Sequence, residues 1–333
     1  MGKNSLSIVA LASGGVITNY YCTSSCRHCL YNCGPDWPKR YISQDAARQN
    51  FQAIKSMGCR SVHIGGGEPF FRPDALVEAL DAAAEAGIDI DYVETNSAWF
   101  RDPESAAETL NRLKAQGLQT LLISISPFHN EHIPFARVEG VVTAAQRCGI
   151  RLFPWVEDFI QDLRVFDAAR THTLGEFEAH FGPDYLQGVL GCYWVHLGGR
   201  ALKTFRPVLP KKPLNQLLST ANASCAAELS DTSHFHLDLF GNYIPGLCSG
   251  LAIAREDLGS PLSDADYPLL NCLFRKGIVG LHDLGCQQYG FAAFRETYIS
   301  KCELCTEIRT FLANAADIAF KELQPLEFYT LQQ

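Results

Sequence analysis

Ile17-Thr-Asn-Tyr-Tyr-Cys-Thr-Ser-Ser-Cys-Arg-His-Cys-Leu30 carries three cysteines directly after a strand-like apolar segment. Cys22, Cys26 and Cys29 fall within eight residues of one another. A [4Fe–4S] cluster has four irons and usually takes four thiolates, so three thiolates leave one iron open to an exchangeable ligand. Zinc sites more often use paired CxxC motifs. The spacing therefore predicts an iron–sulfur cluster with one open iron, against the alternative of three unconnected core cysteines.

Apolar, β-rich runs alternate with helical patterns from about residue 7 to residue 200, at intervals of roughly thirty residues, the size of a βα repeat. The predicted strands are Ile17–Tyr21, Ser61–Ile64, Ile88–Glu94, Thr120–Ile125, Arg151–Val156 and Tyr193–Leu197. The predicted helices between them are Ser43–Met57, Pro73–Ala86, Pro103–Gln116 and Phe135–Cys148. This alternation is typical of an α/β protein with a parallel sheet or partial barrel.

Composition narrows the class of protein. The chain has 333 residues, of which 47% are hydrophobic and 19% charged, as in folded globular proteins. A net charge of −8 argues against a general nucleic-acid binder. No apolar run approaches the ~20 residues of a membrane helix, and no signal peptide is evident. Thirteen cysteines without an export signal favour metal–thiolate chemistry in a reducing cytoplasm, so we expect a cytoplasmic protein without membrane or nucleic-acid partners.

Polar and glycine-rich segments end the next three predicted strands. They are Gly65-Gly66-Gly67-Glu68-Pro69, Val93-Glu94-Thr95-Asn96 and Ile123-Ser124-Ile125-Ser126. Consecutive glycines let a backbone approach a ligand closely, and a carboxylate beside them can hold an ammonium group. Because carboxyl ends of parallel strands meet at one edge of a sheet, these segments are expected beside the cysteines.

Together, the CxxxCxxC spacing and Gly66-Gly67-Glu68-Pro69 resemble the radical S-adenosylmethionine (radical SAM) superfamily. The resemblance implies a partial (β/α)6 TIM-like barrel, in which Cys22, Cys26 and Cys29 hold a [4Fe–4S] cluster whose open iron is chelated by the methionine moiety of S-adenosylmethionine (SAM). It implies reduction of that cluster, cleavage of SAM to methionine and a 5′-deoxyadenosyl radical, and hydrogen abstraction from a substrate. The SAM-binding residues that it implies are Gly66, Gly67, Glu68, Asn96, Ser124, Ser126 and His28.

Some of these residues have plainer interpretations. Asn96, Ser124 and Ser126 are also ordinary strand-end residues. His28 takes a position that is usually aromatic in the family, so packing over SAM is implied rather than metal binding or proton transfer. Cys33 is interpreted as a bystander, because a fourth thiolate would close the open iron. The sequence does not identify a catalytic residue.

A second cysteine set lies in the C-terminal part of the chain, where Cys225 and Cys248 bracket a predicted hairpin, His234–Ile244, and Cys302 and Cys305 begin a helix. This arrangement resembles the SPASM or twitch auxiliary-cluster extensions and implies one auxiliary [4Fe–4S] cluster, with an electron-transfer role. A structural zinc with the same four ligands is the alternative, and Cys272 and Cys286 are spare candidates. The terminal helix is predicted over Thr306–Phe320.

The expected organisation is a radical SAM core at residues 1–206 and a SPASM/twitch-like auxiliary domain with C-terminal helices at residues 207–333. A basic segment that includes Arg200, Arg206, Lys211 and Lys212 is interpreted as a solvated linker near this boundary.

The resemblance implies an enzyme that oxidatively modifies a peptide or protein, a RiPP-type maturase, with an external flavodoxin- or ferredoxin-like electron donor. One alternative is a radical SAM enzyme of cofactor or metabolite biosynthesis. The other, from a different class, is a non-catalytic iron–sulfur electron carrier or sensor.

Overall fold

The computed structural model describes residues 5–221, 224–315 and 319–331. Its strands are β1 Gly14–Ile17, β2 Ser61–Gly65, β3 Asp89–Thr95, β4 Thr120–Ile123, β5 Arg151–Pro154, β6 Lys212–Pro213, β7 Phe235–Asp238, β8 Asn242–Ile244, β9 Ile253–Ala254 and β10 Thr297–Tyr298. Its helices are α1 Gln44–Ser56, α2 Pro73–Ala86, α3 Pro103–Ala115, α4 Pro127–Asn130, α5 Phe135–Arg147, α6 Phe159–Arg164, α7 Leu174–Phe181, α8 Tyr185–Cys192, α9 Arg200–Phe205, α10 Leu214–Thr220, α11 Ala226–Leu229, α12 Pro268–Tyr289, α13 Lys301–Ala313 and α14 Glu327–Thr330.

The main sheet has eight strands in the order β5-β4-β3-β2-β1-β7-β8-β9. The six strands from β5 to β7 are parallel to their neighbours, whereas β8 and β9 pair antiparallel. The helices α1, α2, α3 and α5 alternate with β1 to β5 in the chain, so the predicted α/β fold with a parallel sheet is confirmed.

Local signals set the boundaries of these helices. The Ser43 side chain accepts a hydrogen bond from the backbone N–H of Ala46, which caps the start of α1. Asp102 caps α3 in the same way. Gly87 ends α2 in the left-handed conformation, with φ of 67°, which glycine adopts without steric cost. The four predicted helices in this region therefore form within one or two residues of their expected ends.

Two predicted strands are wrong in extent or place. The first ends at Ile17 instead of Tyr21, because the next residues bond to loops: the N–H of Ile42 donates to the carbonyl of Thr18, and the N–H of Cys22 donates to that of Gly34. The segment Tyr193–Leu197 is not a strand. The sixth parallel position is taken by β7, which pairs with β1.

The predicted hairpin forms as β7 and β8, with Gly241 in the turn at a φ of 81°. Because β7 also pairs with β1, this hairpin extends the main sheet. The terminal helix starts at Lys301, where Ser300 caps it, so it includes Cys302 and Cys305 as predicted; it ends at Ala313, before the predicted Phe320. Residues 316–318 of that prediction lie outside the described residues.

Over the described ranges, the structure contains no helix with the length and apolar character needed to cross a lipid bilayer.

Candidate active site

A cavity of about 240 Å³ opens at the carboxyl ends of the parallel strands. The loop after β1 contributes Cys22, Cys26 and Cys29 to its wall, and the loop after β2 contributes residues 66–69. The ends of β3 and β4 supply Asn96 and Ser124. The structure therefore brings together the segments that the sequence predicted to meet.

The thiol of Cys22 accepts two hydrogen bonds, from the backbone N–H of Ser24 at 3.4 Å and from Asn96 Nδ2 at 3.3 Å. Burial, followed by the nearby Glu68 carboxylate, raises the pKa of Cys22 to about 12. Burial also raises the pKa of Cys26. These thiols are therefore held protonated until a metal replaces their protons.

Cys33 lies beside the three predicted cluster ligands. It is buried and lines the same cavity. Interaction with the Cys33 side chain lowers the pKa of Cys29. The structure thus places a fourth thiol beside the three predicted ligands.

The glycine-rich loop packs against the cysteine loop itself. A Cβ at Gly67 would lie 2.0 Å from the carbonyl oxygen of Tyr21, and one at Gly66, whose φ is 147°, would lie 2.6 Å from that of Asn19. The N–H of Gly67 donates to the Asn19 carbonyl at 2.7 Å. The close approach that requires glycine here is therefore between two loops of the chain.

Glu68 ties this loop to the end of β3. Its buried carboxylate accepts hydrogen bonds from the Thr95 hydroxyl at 2.9 Å, the Asn96 N–H at 2.7 Å and the Phe70 N–H at 3.1 Å. Burial raises its pKa to about 7. With three donors already bound, the carboxylate retains little capacity for a ligand.

The two predicted serine contacts differ in the structure. Ser124 lines the cavity. Ser126 is 1% exposed, caps α4 and lies 2.6 Å from His129 Nδ1 through its Oγ atom, so its hydroxyl is engaged away from the cavity wall.

His28 forms an aromatic wall of the cavity. Its ring stacks on Trp155 at a centroid distance of 4.9 Å and contacts His129 at 4.8 Å. Its buried Nδ1 has no hydrogen-bond partner within the part of the chain that the structure describes. Burial lowers the pKa of His28 well below its usual value, so the ring is neutral. An unpaired polar atom in a cavity wall indicates a place for a polar ligand.

Arg200 contacts the cysteine loop, so the interpretation of this residue as part of a solvated linker is wrong. Its Nε donates to the Cys26 carbonyl at 2.8 Å, and its Nη2 donates to the Cys33 carbonyl at 2.5 Å. The preceding Gly199 has a φ of 51° and approaches the same loop, where a Cβ would lie 2.4 Å from the Cys29 carbonyl oxygen. Arg206 is also no solvated linker residue, since it pairs with Glu303 at 2.6 Å.

A second cavity, of about 100 Å³, contains the C-terminal cysteines. Its lining includes Cys225, Cys248, Cys302 and Cys305. Cys225 precedes α11, Cys248 follows the turn after β8, and the last two lie in the first turns of α13. The predicted convergence of these four thiols is therefore present in the structure.

Two cations accompany these thiols. The Lys301 Nζ lies 3.7 Å from Cys225 Sγ and pairs with Glu228. The buried Arg309 guanidinium donates to the carbonyl of Ser249 at 2.9 Å. Positive charge beside thiols favours thiolate formation and stabilises an anionic cluster.

The spare cysteines take no part in this cavity. Cys272 and Cys286 lie on α12 outside its lining. Residues His196 and Leu247 line both cavities, so the two cysteine sites are neighbours.

Among the described residues, one set of three potential metal-ligating side chains has ligand atoms within 4.8 Å of one another, and it consists of histidines.

Part of the chain matches a known protein family. Residues 16–156 match the family model described as the radical SAM superfamily. No curated protein matches the sequence.

Several solved structures align with this chain at low sequence identity. The anSMEcpe structure with bound AdoMet is 11% identical, with a TM-score of 0.45, over 90% of this chain and 96% of that chain. The SuiB structure from Streptococcus suis bound to precursor peptide SuiA is 15% identical, with a TM-score of 0.34, over 90% of this chain and 72% of that one. Methylornithine synthase (PylB) is 21% identical, with a TM-score of 0.33 and 44% of each chain covered. The chain thus spans less than half of methylornithine synthase.

Proposed function

We propose that the protein is a radical SAM enzyme that oxidatively modifies a peptide or protein, and the match of residues 16–156 to the radical SAM superfamily model supports this proposal. Cys22, Cys26 and Cys29 would hold a [4Fe–4S] cluster, and SAM would lie beside it. The observation that carries this proposal is the meeting of three thiols with Asn96 and the glycine-rich loop around one cavity. When bound, cluster and SAM together supply a 5′-deoxyadenosyl radical able to abstract hydrogen from a substrate.

The chain prepares this site by fixing the cysteine loop. The Arg200 guanidinium donates hydrogen bonds to two carbonyls of the cysteine loop, and the glycine-rich loop donates backbone hydrogen bonds to the residues just before Cys22. Asn96 donates to the Cys22 sulfur, an interaction that tunes the reduction potential of iron–sulfur centres. Such contacts orient metal ligands before the metal binds.

The cavity walls can orient SAM and a substrate. His28 and Trp155 form a neutral aromatic face, and the unpaired His28 Nδ1 is available to a polar group of the ligand. At the rim, the Trp194 side chain is 68% exposed, so an aromatic surface is available to a side chain of an incoming peptide. The cavity is therefore compatible with a substrate that enters from outside.

Anaerobic reconstitution followed by incubation with reductant and SAM tests the proposed activity. We expect 5′-deoxyadenosine, and its loss in a Cys26→Ser variant. The control is Cys192→Ser, which removes an exposed thiol outside the cavity and should leave the product unchanged. Cluster-loaded protein that forms no 5′-deoxyadenosine would favour the electron carrier or sensor.

For the C-terminal cavity, we propose an auxiliary [4Fe–4S] cluster held by Cys225, Cys248, Cys302 and Cys305. The adjacent Lys301 and Arg309, which line the same cavity, support it because their positive charges would stabilise an anionic cluster. Because the two cavities share lining residues, this cluster would lie close enough to accept an electron from a substrate radical. Four protein thiols saturate it, which favours electron transfer over substrate binding.

Iron and sulfide analysis tests this second site. The protein should bind about eight irons with acid-labile sulfide, the content of two [4Fe–4S] clusters. Cys302→Ser should lower iron and sulfide, whereas Cys286→Ser, which alters a thiol outside the cavity, should not. About four irons together with one zinc would instead establish the zinc alternative.

The substrate class needs its own experiment. The cluster-loaded enzyme should be incubated with SAM, an external flavodoxin- or ferredoxin-like donor and short peptides encoded beside its gene. A peptide product that has lost two hydrogens would support the maturase, and modification confined to small molecules would favour cofactor or metabolite biosynthesis.

A further inference from the structure

Three histidines meet on the inner face of the main sheet, and neither the sequence motifs nor the family match accounts for them. His63 lies on β2, His236 on β7, and His234 just before β7. Potential ligand atoms of all three lie within 4.8 Å of one another. His63 and His236 occupy the same register position on either side of β1, opposite Gly15.

Their geometry is close to that of a mononuclear metal site. The Nε2 atoms of His63 and His236 are 3.1 Å apart. The three ring centroids are separated by 5.0 to 5.3 Å. Three imidazoles on one tetrahedral zinc, with bonds of about 2.0 Å, have nitrogens about 3.3 Å apart and ring centres about 5 Å apart. Small side-chain movements would therefore suffice to bind one ion.

The strand between the histidines is shaped to let them meet. Gly15 has no side chain, and a Cβ there would lie 2.2 Å from His63 Nε2. Any larger residue at this inward position of β1 would push the His63 ring away from His236. The space occupied by the histidine pair thus depends on the glycine.

The rings are prepared to act as neutral ligands. Burial lowers the pKa of His63 to about 3 and that of His236 well below its usual value, so both keep a lone pair at neutral pH. The Tyr31 hydroxyl lies 2.7 Å from His236 Nδ1, which orients the ring and leaves Nε2 toward His63. A Glu94 carboxylate oxygen lies 3.8 Å from His63 Nε2.

We propose that His63, His234 and His236 bind a divalent first-row transition-metal ion, with Zn²⁺ as its representative, at a site separate from both cysteine sites. Imidazole donors favour ions such as Zn²⁺ over Mg²⁺ or Ca²⁺. Three protein ligands leave a coordination position for water or a substrate donor atom. His234, His236 and Glu94 line the same cavity as Cys22, so this position is open to the proposed active site.

Zinc binding by the cluster-loaded protein tests the proposal. After anaerobic reconstitution fills the thiol sites, the protein is dialysed against limiting Zn²⁺, and bound zinc is measured by elemental analysis and zinc X-ray absorption. We expect one zinc per chain, with nitrogen or oxygen neighbours at about 2.0 Å and no sulfur neighbour at about 2.3 Å.

Variants identify the ligands. His234→Gln and His63→Gln should weaken zinc binding by about tenfold or more, whereas the exposed His180→Gln on α7 should not change it. His63 is buried, so His63→Gln could fail to fold; His234 is exposed, so His234→Gln should fold and still tests zinc binding. Absence of saturable zinc, or zinc binding that His234→Gln leaves unchanged, would overturn the proposal.

The spectrum also separates this site from the function proposed above. Zinc with sulfur neighbours would show that the cysteines bind zinc, which counts against the clusters and not for the histidine site. Zinc with imidazole neighbours would support the histidine site whether or not 5′-deoxyadenosine forms.

Discussion

Replacing Arg200 by methionine should destabilise the cysteine loop, because its guanidinium bridges two carbonyls of that loop. The bonds to Cys26 and Cys33 measure 2.8 and 2.5 Å and lie in a half-buried environment. A hydrogen bond from a charged donor contributes about 1.5–3 kcal/mol to stability, and water would partly satisfy the freed carbonyls. We therefore expect the free energy of unfolding to fall by about 3 kcal/mol.

Urea denaturation of the reduced, metal-free protein measures this change under anaerobic conditions. Arg200→Lys keeps the charge but presents a single point donor, so it should lose about half as much stability as the methionine variant. In the cluster-loaded protein, a chelator should remove iron faster from Arg200→Met than from the unmodified chain, because the loop that carries the ligands is less constrained.

The matched control is Lys203→Met on the same short helix, α9. This change removes one exposed positive charge without affecting a bond to the cysteine loop. A difference between Arg200→Met and Lys203→Met of less than about 0.5 kcal/mol, the usual range for surface substitutions, would refute the bridging role.

Three further substitutions test other contacts. Gly67→Ala should lower the free energy of unfolding by about 2–4 kcal/mol, because the new Cβ would lie 2.0 Å from a backbone carbonyl oxygen. In the same urea assay, Gly188→Ala should not destabilise the protein, because the space at its Cβ is open. Asn96→Ala, which removes a donor to Cys22, should lower the cluster reduction potential measured by redox titration. Burial raises the pKa of Glu322 to about 8. Between about pH 4.5 and about 8 the folded state therefore binds a proton that the unfolded state has lost, and the free energy of unfolding falls as the pH rises. Glu322→Gln should reduce this pH dependence in urea denaturation.

Features encoded locally could be predicted from the sequence. The helix-capping side chain of Ser43 and the left-handed Gly87 each act within a few residues, and the helices that they bound form where the sequence predicts them. The cysteine spacing and the segments at the strand ends predicted one shared cavity, because parallel strands present their carboxyl ends together.

Contacts between distant parts of the chain could not be predicted in this way. Arg200 reaches a carbonyl 174 residues away, and the paired histidines His63 and His236 are 173 residues apart. Local periodicity does not indicate which strand lies beside β1, so the sequence predicts Tyr193–Leu197 as the sixth parallel strand, whereas the structure has β7 there. The role of Glu68 was hidden for the same reason, since its partner Thr95 belongs to the next strand.

The pairing of β1 with β7 sets an order of events during synthesis. Gly14 pairs with Phe235, so one edge of β1 lacks its final neighbour until most of the chain has been made. At a translation rate of 5–20 residues per second, that interval lasts about 10 to 40 seconds. The loop that follows β1 carries the three cysteines, and Arg200, which holds this loop, is also made late. We therefore expect metal incorporation at these cysteines to follow the pairing of β1 with β7, at a stage when the chain as far as Asp238 has left the ribosome.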